Sequence, residues 1–453
     1  MGKAAKRPNV IVFFTDQQRW DTTGVHGNPL GLTPNFDRMA ALGTHAAYTF
    51  TCQPVCGPAR SSVQTGLYAT EAGCFTNGIP LPEGSRTLAH YFGEAGYDTA
   101  YIGKWHLACT RTSPVPVEKR GGYDYWLAAD ALEHTSDAYK TVLYNNDNEP
   151  VELPGYRADA LTDAAIRYIG SRRDADAPFY LFLSYLEPHH QNHRDDYPAP
   201  DVYRGHYTGR YVPPDLAALG GNAHQHLDGY YGMVRRLDEA LGRLNDAIKS
   251  LGLAEDTILA FTSDHACHFK TRNAEYKRSC HESSIRVPMA FSGPGFDGGG
   301  TLRELVSLVD LPPTLLDAAG IPVPESMQGR SVVPLLNGKR ADWPQEVFVQ
   351  ISESQVGRAI RTKRWKYSVT APGRDPIRDA GAAEYVEEFL YDLEADPYEL
   401  NNLVDKASHE PVRSQLRERL LARMAAAGEP VPLIRFLPPV VSGQLRINPE
   451  DIY

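Results

Sequence analysis

Four short runs of apolar, β-branched and aromatic residues are each followed directly by polar residues. Each run is short and bounded by turn or polar residues, so each predicts a strand buried in a sheet. The runs cover residues 9–14, 97–102, 179–186 and 257–262. Because ligands bind at the carboxyl ends of strands in open α/β sheets, the polar residues that follow these runs are candidates for a functional site.

Helices are predicted between the strands. Apolar residues three and four apart cover residues 227–251, and Gly252 follows as a stop signal. Shorter helices are predicted to begin near Pro34, Cys56 and Asp310. Residues 191–222, rich in Asp, Tyr, Pro and Gly, predict a long loop that could wall a substrate pocket. The alternation of strands and helices predicts an α/β fold.

The pattern changes after about residue 343. Residues 347–351 and 361–368 predict strands of a smaller antiparallel unit, and residues 409–427 predict a terminal helix. The last stretch, 431–453, is apolar and contains Pro without periodicity, so we expect an arm that packs on this subunit or a neighbouring one. We therefore expect a large α/β catalytic domain over 1–343 and a smaller α+β subdomain over 344–453, with homo-oligomer formation through the arm as an option.

Composition narrows the class of protein. Hydrophobic content of 42%, charged content of 23% and a net charge of -10 are ordinary for a soluble globular chain and argue against nucleic-acid binding. The first apolar run is too short for a signal peptide or a membrane span. As given, the chain is expected to be cytoplasmic, or periplasmic or secreted if a leader was removed. Six cysteines without a C-x-x-C pair suit a reducing compartment.

A C-x-P-x-R string lies before the second predicted strand. It consists of Cys56, Pro58 and Arg60, and Cys52 cannot begin the same string because the residue four positions later is Cys56. The following segment predicts a helix, so Cys56 lies near a helix N-terminus, where a negatively charged group is favoured. On this stretch alone, a buried structural cysteine next to a turn is an equal interpretation.

Polar pairs after the predicted strands suggest bound ions. Lys104 and His106 lie two apart in an extended segment, so both project from the same side and could hold one anion. Two other pairs, Asp16 with Gln17 and Asp264 with His265, end distant strands, and a single metal is the economical reason to bring them together with Cys56. Three of these four side chains offer oxygen, which suits a hard divalent cation.

Together these motifs resemble the type I sulfatase family of the alkaline phosphatase superfamily. The resemblance covers nearly the whole chain and implies a large mixed sheet flanked by helices with a smaller C-terminal subdomain. In chain order the matches are N-terminal Asp16, T-P-N-x-D from Thr33, C-x-P-x-R from Cys56, G-K-W-H from Gly103, P-H at His189, D-H at Asp264, K-x-x-x-x-E from Lys277, R-V-P from Arg286 and L-Y-D-L-x-x-D-P from Leu390.

The resemblance implies a modified cysteine and one metal ion. Cys56 would be oxidised to formylglycine by a formylglycine-generating enzyme, although the family more often has Ser or Thr at the position of Ala59. The metal ligands would be Asp16, Gln17, modified Cys56, Asp264 and His265. Many members have Asp at the position of Gln17 and Asn at that of His265, so Ca²⁺ is named first only narrowly, with Mn²⁺ and Mg²⁺ as alternatives.

The same resemblance implies a catalytic scheme. The hydrate of the aldehyde at position 56 would attack sulfur, with Asp264 accepting the proton of the attacking hydroxyl. Arg60, Lys104 and Lys277 would offset charge on the sulfuryl group, and Lys104, His189 and Lys277 would bind the substrate. His189, with His190 as its nearest rival, would protonate the leaving oxygen, and His106 would take the proton from the second hydroxyl.

Three further residues, His268, Arg272 and His281, are plausible substrate-pocket residues, although no motif fixes their roles. An acidic surface and abundant Tyr and Trp suit an O-sulfated mono- or oligosaccharide better than a simple aryl sulfate. A phosphonate monoester or phosphodiester hydrolase of the same fold stays open, because it would use formylglycine and a similar metal set, although such enzymes usually lack the Lys and His of G-K-W-H. A non-catalytic binding protein with unmodified Cys56 is a further alternative.

Overall fold

The larger of two sheets carries the strands that were predicted to end in polar residues. A computed structural model describes residues 7–436. The strands of this sheet, in chain order, are β1 Asn9–Thr15, β2 Thr44–Phe50, β3 Asp98–Lys104, β4 Tyr125–Ala129, β5 Thr141–Tyr144, β6 Pro150–Leu153, β7 Phe179–Ser184, β8 Thr257–Ser263, β9 Arg286–Val287, β10 Met289–Ser292 and β11 Gly300–Ser307.

The spatial order of this sheet is β11-β2-β10-β8-β1-β7-β3-β4-β5-β6, with β9 paired to β2. Strand β1 lies in the middle, parallel to both β7 and β8, and β3 is parallel to β7 and β4. Because these strands run the same way, their carboxyl ends meet at one edge. This arrangement confirms the expected large mixed sheet and explains why polar residues distant in sequence gather there.

Helices cover both faces of this sheet. In strand β1 the side chains alternate, so that Val10, Val12 and Phe14 pack in one apolar core and Ile11 and Phe13 in another. Across the described residues the helices are α1 Pro34–Leu42, α2 Cys56–Thr65, α3 Leu88–Glu94, α4 Leu132–Thr135, α5 Arg157–Arg172, α6 Asp201–Tyr207, α7 Pro214–Ala218, α8 Ala223–Ser250, α9 Glu282–Ile285, α10 Leu311–Ala318, α11 Val333–Leu336 and α12 Glu410–Ala426.

The smaller sheet lies in the C-terminal part of the chain. Its strands are β12 Glu346–Ile351, β13 Gly357–Thr362, β14 Trp365–Thr370, β15 Glu384–Asp392 and β16 Leu433–Arg435, in that spatial order. All neighbours are antiparallel except β15 and β16. An apolar cluster that includes Phe50 and Leu305 of the large sheet and Val349 and Tyr391 of the small sheet joins the two. The expected C-terminal α+β subdomain is confirmed, whereas its boundary at residue 343 stays a prediction.

Three sequence expectations need adjustment. Residues 361–368 form the end of β13 and the start of β14 rather than one strand, with a tight turn between Thr362 and Trp365. The segment predicted as the long loop 191–222 contains helices α6 and α7. Of the predicted arm, the structure describes β16, and residues 437–453 lie outside the described part. None of the helices within residues 7–436 is both long and apolar enough to cross a membrane.

Candidate active site

Cys56 is the first residue of helix α2 and is almost completely buried, with 1% exposure. The helix start packs tightly against the loop after β3, since a Cβ at Gly57 would lie 3.0 Å from Asn77 Oδ1 and 3.3 Å from the His106 carbonyl oxygen. The Gly57 N–H donates to Asn77 Oδ1 over 2.9 Å. Residue 56 is therefore held against the carboxyl edge of the large sheet.

Two carboxylates and one imidazole face Cys56. Thr15 and Ser263 are opposite each other in the β1–β8 pair, so Asp16 and Asp264 follow at the same level. Cys56 Sγ lies 3.2 Å from His265 Nε2 and 3.7 Å from Asp16 Oδ1. His265 Nε2 lies 3.8 Å from Asp16 Oδ1 and 3.6 Å from Asp264 Oδ1. All four residues are buried, and their ligand atoms lie within 4.8 Å of one another.

This cluster fits a divalent cation. Ligand atoms that share one ion are about 3–4 Å apart, because ion–ligand distances are about 2.0–2.6 Å. His265 Nδ1 lies 3.0 Å from the Ala266 carbonyl oxygen, which can only accept, so Nδ1 carries the hydrogen and Nε2 offers its lone pair to the cluster. Gln17 Nε2 donates to Tyr197 Oη and lies near Cys267 Sγ, so its Oε1 is turned toward Lys277, 3.5 Å from Nζ.

Arg60 lies behind the carboxylates. Its guanidinium donates to Asp16 Oδ2 over 2.9 Å, to the Lys104 carbonyl oxygen and to Ser184 Oγ, and it lies 3.4 Å from Asp264 Oδ2. With these contacts the side chain is 2% exposed. In this structure the charge of Arg60 acts on the two carboxylates, which suits a residue that positions them. The expectation that Arg60 offsets charge on the sulfuryl group stays a prediction.

Lys104, the last residue of β3, bridges two acids. Its Nζ lies 2.9 Å from Asp16 Oδ2 and 3.2 Å from Glu133 Oε2. Burial alone would raise the pKa of Glu133, but Lys104 and nearby histidines lower it to about 2. Glu133 lies in a region without a recognisable motif, so no signal in the sequence indicates this acid beside the site.

Lys277 and His189 lie on the other side of Cys56. Lys277 Nζ is 2.9 Å from Cys56 Sγ and 3.1 Å from His189 Nε2. His189 Nδ1 donates to the His190 carbonyl oxygen over 2.6 Å, so Nε2 is the nitrogen that faces the lysine. Burial and the charge of Lys277 lower the pKa of His189, which keeps the ring neutral before an anion enters.

The charges around Cys56 favour an anion at this position. Burial by itself would raise the pKa of the Cys56 thiol, but Lys104, Lys277 and His265 outweigh burial and hold it well below its ordinary value. Burial and the charge of Asp16 raise the pKa of Asp264 to about 6. The site therefore combines two lysines with a group of four possible metal ligands. We call this group, Asp16, Cys56, Asp264 and His265, the metal-type cluster.

His106 follows Lys104 in the loop that borders the cluster. Its backbone N–H donates to the Asp130 carbonyl oxygen over 2.8 Å, and the Asp130 carboxylate accepts from the N–H groups of Ala108 and Thr110. His106 also contributes to the low pKa of Cys56. The loop thus brings this predicted residue to the cysteine.

The remaining predicted pocket residues are placed differently. His268 Nε2 donates to the Lys277 carbonyl oxygen over 2.9 Å and so supports the lysine rather than a ligand. Arg272 donates to the carbonyl oxygens of Tyr398 and Glu399, and His281 Nε2 lies 3.1 Å from Tyr391 Oη. Each of these three side chains makes internal contacts, two of them with the C-terminal part of the chain, and the expectation that they bind substrate stays a prediction.

The large mixed sheet, with this centre at its carboxyl edge and a smaller C-terminal sheet, is the architecture of the alkaline phosphatase superfamily. The Sulfatase family model matches residues 8–321, and the model "N-sulphoglucosamine sulphohydrolase, C-terminal" matches residues 275–426. The chain therefore belongs to the sulfatase family and is a sulfuric ester hydrolase. Formylglycine and a metal ion are typical of this family.

Similar proteins agree with this assignment. The chain is 31% identical to an ulvan-active sulfatase of Formosa agariphila, over 93% of this chain and 82% of that protein. A Bacteroides fragilis structure described as the sulfatase yidJ has a TM-score of 0.82 and 25% identity, covering 95% of this chain and 98% of that one. The fold is also shared, at a TM-score of 0.80 and 24% identity, with a protein in complex with its substrate D-glucosamine-2-N,6-O-disulfate, covering 93% and 98% of the two chains.

One structure of a phosphorus-directed enzyme has a lower TM-score than the two structures above. A phosphonate monoester hydrolase of Agrobacterium radiobacter has a TM-score of 0.69 and 26% identity, covering 93% of this chain and 96% of that one. Both lysines next to Cys56, Lys104 and Lys277, match the sulfatase motifs quoted above. The balance of these observations favours sulfur over phosphorus.

Proposed function

We propose that the protein hydrolyses the O-sulfate ester of a mono- or oligosaccharide, using a formylglycine made from Cys56. The observation that carries the proposal is the position of Cys56 Sγ, within 2.9 Å of Lys277 Nζ and 3.2 Å of His265 Nε2 at the centre of a buried cluster. In this structure Sγ stands where the oxygens of the hydrated aldehyde would lie. A formylglycine-generating enzyme is the partner that this modification requires.

Asp16, Asp264 and His265, with Oε1 of Gln17 beside them, are the residues that would hold the metal. A bound divalent cation stabilises negative charge on sulfate oxygens and lowers the pKa of a hydroxyl that contacts it. Ca²⁺ is our first choice because oxygen donors predominate, and Mn²⁺ or Mg²⁺ is the alternative because His265 supplies nitrogen. Elemental analysis of the purified protein distinguishes these ions.

The residues of the chain share the remaining work. Lys104 and Lys277 lie on two sides of Cys56 and would balance the charge of the sulfate group. Asp264 would accept the proton of the attacking hydroxyl. His106, brought to the cysteine by the loop after β3, would take the proton of the second hydroxyl.

His189 would protonate the leaving oxygen. Its Nε2 lies beside Lys277 Nζ, so both groups can face the same oxygen. Burial keeps this imidazole neutral until the substrate binds. An anionic ester brings negative charge beside the ring, which favours the imidazolium form and so supplies the proton where it is needed.

Two properties of relatives support a carbohydrate substrate. One relative is named as active on ulvan, and the ligand of a protein with the same fold is a sulfated glucosamine. A screen of sulfated mono- and oligosaccharides, including glucosamine 6-sulfate, tests the proposal with 4-nitrophenyl sulfate as the aryl comparison. A kcat/KM that is higher on the aryl ester than on every sugar ester contradicts the carbohydrate assignment.

Two measurements test the chemistry. Conversion of the thiol to the aldehyde lowers the intact mass by about 18 Da, and an active sample without this loss contradicts the formylglycine nucleophile. Hydrolysis in ¹⁸O-labelled water should place the label in sulfate, because the scheme breaks the S–O bond and leaves the C–O bond of the alcohol intact. Label in the alcohol would show C–O cleavage and would reject the scheme.

The second candidate is a phosphonate monoester or phosphodiester hydrolase, favoured by the similarity to the Agrobacterium radiobacter enzyme. The test compares kcat/KM on 4-nitrophenyl sulfate, a 4-nitrophenyl phosphonate monoester and bis-4-nitrophenyl phosphate. A large preference for the phosphonate or the diester replaces the sulfatase proposal with this one.

A further inference from the structure

Three stacked rings lie beside the active site and outside the metal-type cluster. The rings of His189 and His190 are 4.4 Å apart and nearly parallel, at 15°. The rings of His190 and Tyr276 are 4.5 Å apart and tilted by 35°. Lys270 Nζ caps the outer end of the stack, 4.7 Å from the centre of the Tyr276 ring. Offset contacts of this kind fix the relative orientation of aromatic side chains.

His190 holds His189 in two ways. Its carbonyl oxygen accepts the Nδ1–H of His189 over 2.6 Å, and its ring covers one face of the neighbouring imidazole. The carbonyl contact determines which nitrogen of His189 points inward, and the ring contact limits rotation of the side chain. Both contacts therefore act on the position of His189 Nε2.

His190 works through its ring face rather than through its nitrogens. Its Nδ1 is buried and has no hydrogen-bond partner among the described residues. Burial, followed by the charges of His189 and Lys277, lowers the pKa of His190, so its ring is uncharged. An uncharged ring can stack on His189 without repelling a proton on that residue. The observed contacts are those that any flat aromatic ring of similar size would make.

Tyr276 anchors the stack to the rest of the chain. Its hydroxyl donates to Asp195 Oδ1 over 2.8 Å and accepts from Asn222 Nδ2 over 2.7 Å. Tyr276 also precedes Lys277, whose Nζ lies 3.1 Å from His189 Nε2. The ring stack and the peptide bond between Tyr276 and Lys277 therefore connect His189 to Lys277. These are the two residues proposed to face the leaving oxygen.

We propose that His190 and Tyr276 are positioning residues that set the distance between His189 Nε2 and Lys277 Nζ, and thereby the ability of the enzyme to expel poor leaving groups. The inference rests on the proposed function, in which His189 protonates the leaving oxygen. A misplaced acid lowers the rate most for an ester whose leaving group is strongly basic. It lowers the rate least for an ester whose leaving group is stable as an anion. The prediction is a loss of activity that depends on the leaving group.

The experiment compares two aryl sulfates of similar size, 4-nitrophenyl sulfate with a good leaving group and phenyl sulfate with a poorer one. His190→Ala should lower kcat/KM by about 30-fold on phenyl sulfate and by about threefold or less on 4-nitrophenyl sulfate, as expected for weakened acid catalysis. His190→Phe, which keeps a ring and loses no hydrogen bond, should restore the rate on phenyl sulfate to within about threefold of the original enzyme.

Tyr276→Phe keeps the ring but loses both hydroxyl contacts. It should therefore lower kcat/KM on phenyl sulfate more than on 4-nitrophenyl sulfate, but by less than His190→Ala does. His224→Ala removes an exposed histidine of helix α8 and serves as the control without effect. Thermal unfolding of every variant confirms that the compared proteins are folded. A His190→Phe variant as impaired as His190→Ala overturns the stacking role.

His189→Ala separates this inference from the proposed function. If His189→Ala shows the leaving-group dependence and His190→Ala lowers both rates equally, the positioning role of the stack is rejected while the acid role of His189 stands. If His189→Ala itself lowers both rates equally, the acid role in the proposed function is rejected. The inference is supported if His189→Ala and His190→Ala both lose more activity on phenyl sulfate than on 4-nitrophenyl sulfate and His190→Phe restores the rate on phenyl sulfate.

Discussion

Arg60 determines how the two carboxylates are presented. Its Nη2 donates to Asp16 and lies close to Asp264, while its Nη1 donates to the Lys104 carbonyl oxygen and to Ser184 Oγ. A lysine at this position could not make the same set of contacts, because an ammonium lacks the planar fork of the guanidinium. The residue is therefore needed for geometry as well as for charge.

Arg60→Lys should lower kcat/KM by about 100-fold and weaken metal binding by about tenfold, since the groups that orient ligands typically affect metal affinity to this extent. Kinetics on the best substrate and elemental analysis after dialysis measure the two effects. The matched control is Arg86→Lys, whose salt bridge with Glu94 is exposed. Equal metal content and activity in Arg60→Lys and the original enzyme would contradict the positioning role.

Lys277 brings a positive charge to within 2.9 Å of Cys56 Sγ. Lys277→Ala should lower kcat/KM by about 100- to 1,000-fold, because removal of one group that stabilises transition-state charge has an effect of this size. Steady-state kinetics on the sugar ester measures it. Lys249→Ala, at an exposed lysine of helix α8, should leave the rate unchanged. A loss below about threefold would show that Lys277 does not act on the ester.

At the scale of residues, the sequence located the side chains that belong to recognisable motifs. It could not locate Glu133, whose closeness to Lys104 depends on a helix in the irregular region after β4. It also could not show that Arg272 contacts the carbonyl oxygens of Tyr398 and Glu399, because a charged residue near a motif carries no sequence signal for a buried contact with distant residues. Both contacts depend on long-range packing, which a motif does not contain.

Among the elements, strand β3 depends on a glycine directly before Lys104. Gly103 has a φ of +109°, and a Cβ there would lie 1.8 Å from the Ser184 carbonyl oxygen on β7. An added methyl group would therefore push β3 away from β7 or displace Lys104. Gly96 also has a positive φ, of +85°, but a Cβ at this position would meet no atom of the described residues within 4 Å.

Gly103→Ala should lower the free energy of unfolding by about 2–4 kcal/mol through overpacking. The control Gly96→Ala should lower the free energy of unfolding by only about 1 kcal/mol. Its alanine would be strained by the positive φ but would meet no steric clash. Urea unfolding followed by circular dichroism measures both values. If the two variants are equally stable, the close approach of β3 and β7 does not limit residue 103.

Element prediction succeeded where periodicity and stop signals were clear, as for helix α8 and strand β8. It failed between Thr362 and Trp365, because this tight turn contains no Gly, Pro, Asn or Asp to mark it. Helices α6 and α7 were missed because short helices in a polar, proline-rich segment show too few turns to reveal an apolar face.

At the scale of the whole molecule, buried ion pairs connect the two sheets. Lys366 of β14 lies 2.9 Å from Glu282 Oε1 and also pairs with Glu399, and Arg361 of β13 lies 3.2 Å from Glu282 Oε2. Glu282 is only five residues after Lys277. The small sheet therefore fixes one end of the segment that carries Lys277.

Lys366→Met should destabilise the protein by about 3–5 kcal/mol, because it leaves two buried carboxylates without their shared partner. Arg364→Ala, which removes an exposed partner of Asp392, should lower the free energy of unfolding far less, because solvent screens this ion pair. Denaturant unfolding with one probe in each sheet measures both. A Lys366→Met protein as stable as the control would show that these ion pairs do not hold the sheets together.

The basic side chains within the active site have a practical consequence for handling the enzyme. Arg60 and Lys104 pair with Asp16, and Arg60 also lies close to Asp264, so part of the negative charge of these acids is balanced without a bound ion. Treatment with a chelator should therefore abolish activity while lowering the melting temperature by only about 2–4 °C. Activity should return when the ion is added back, without a refolding step.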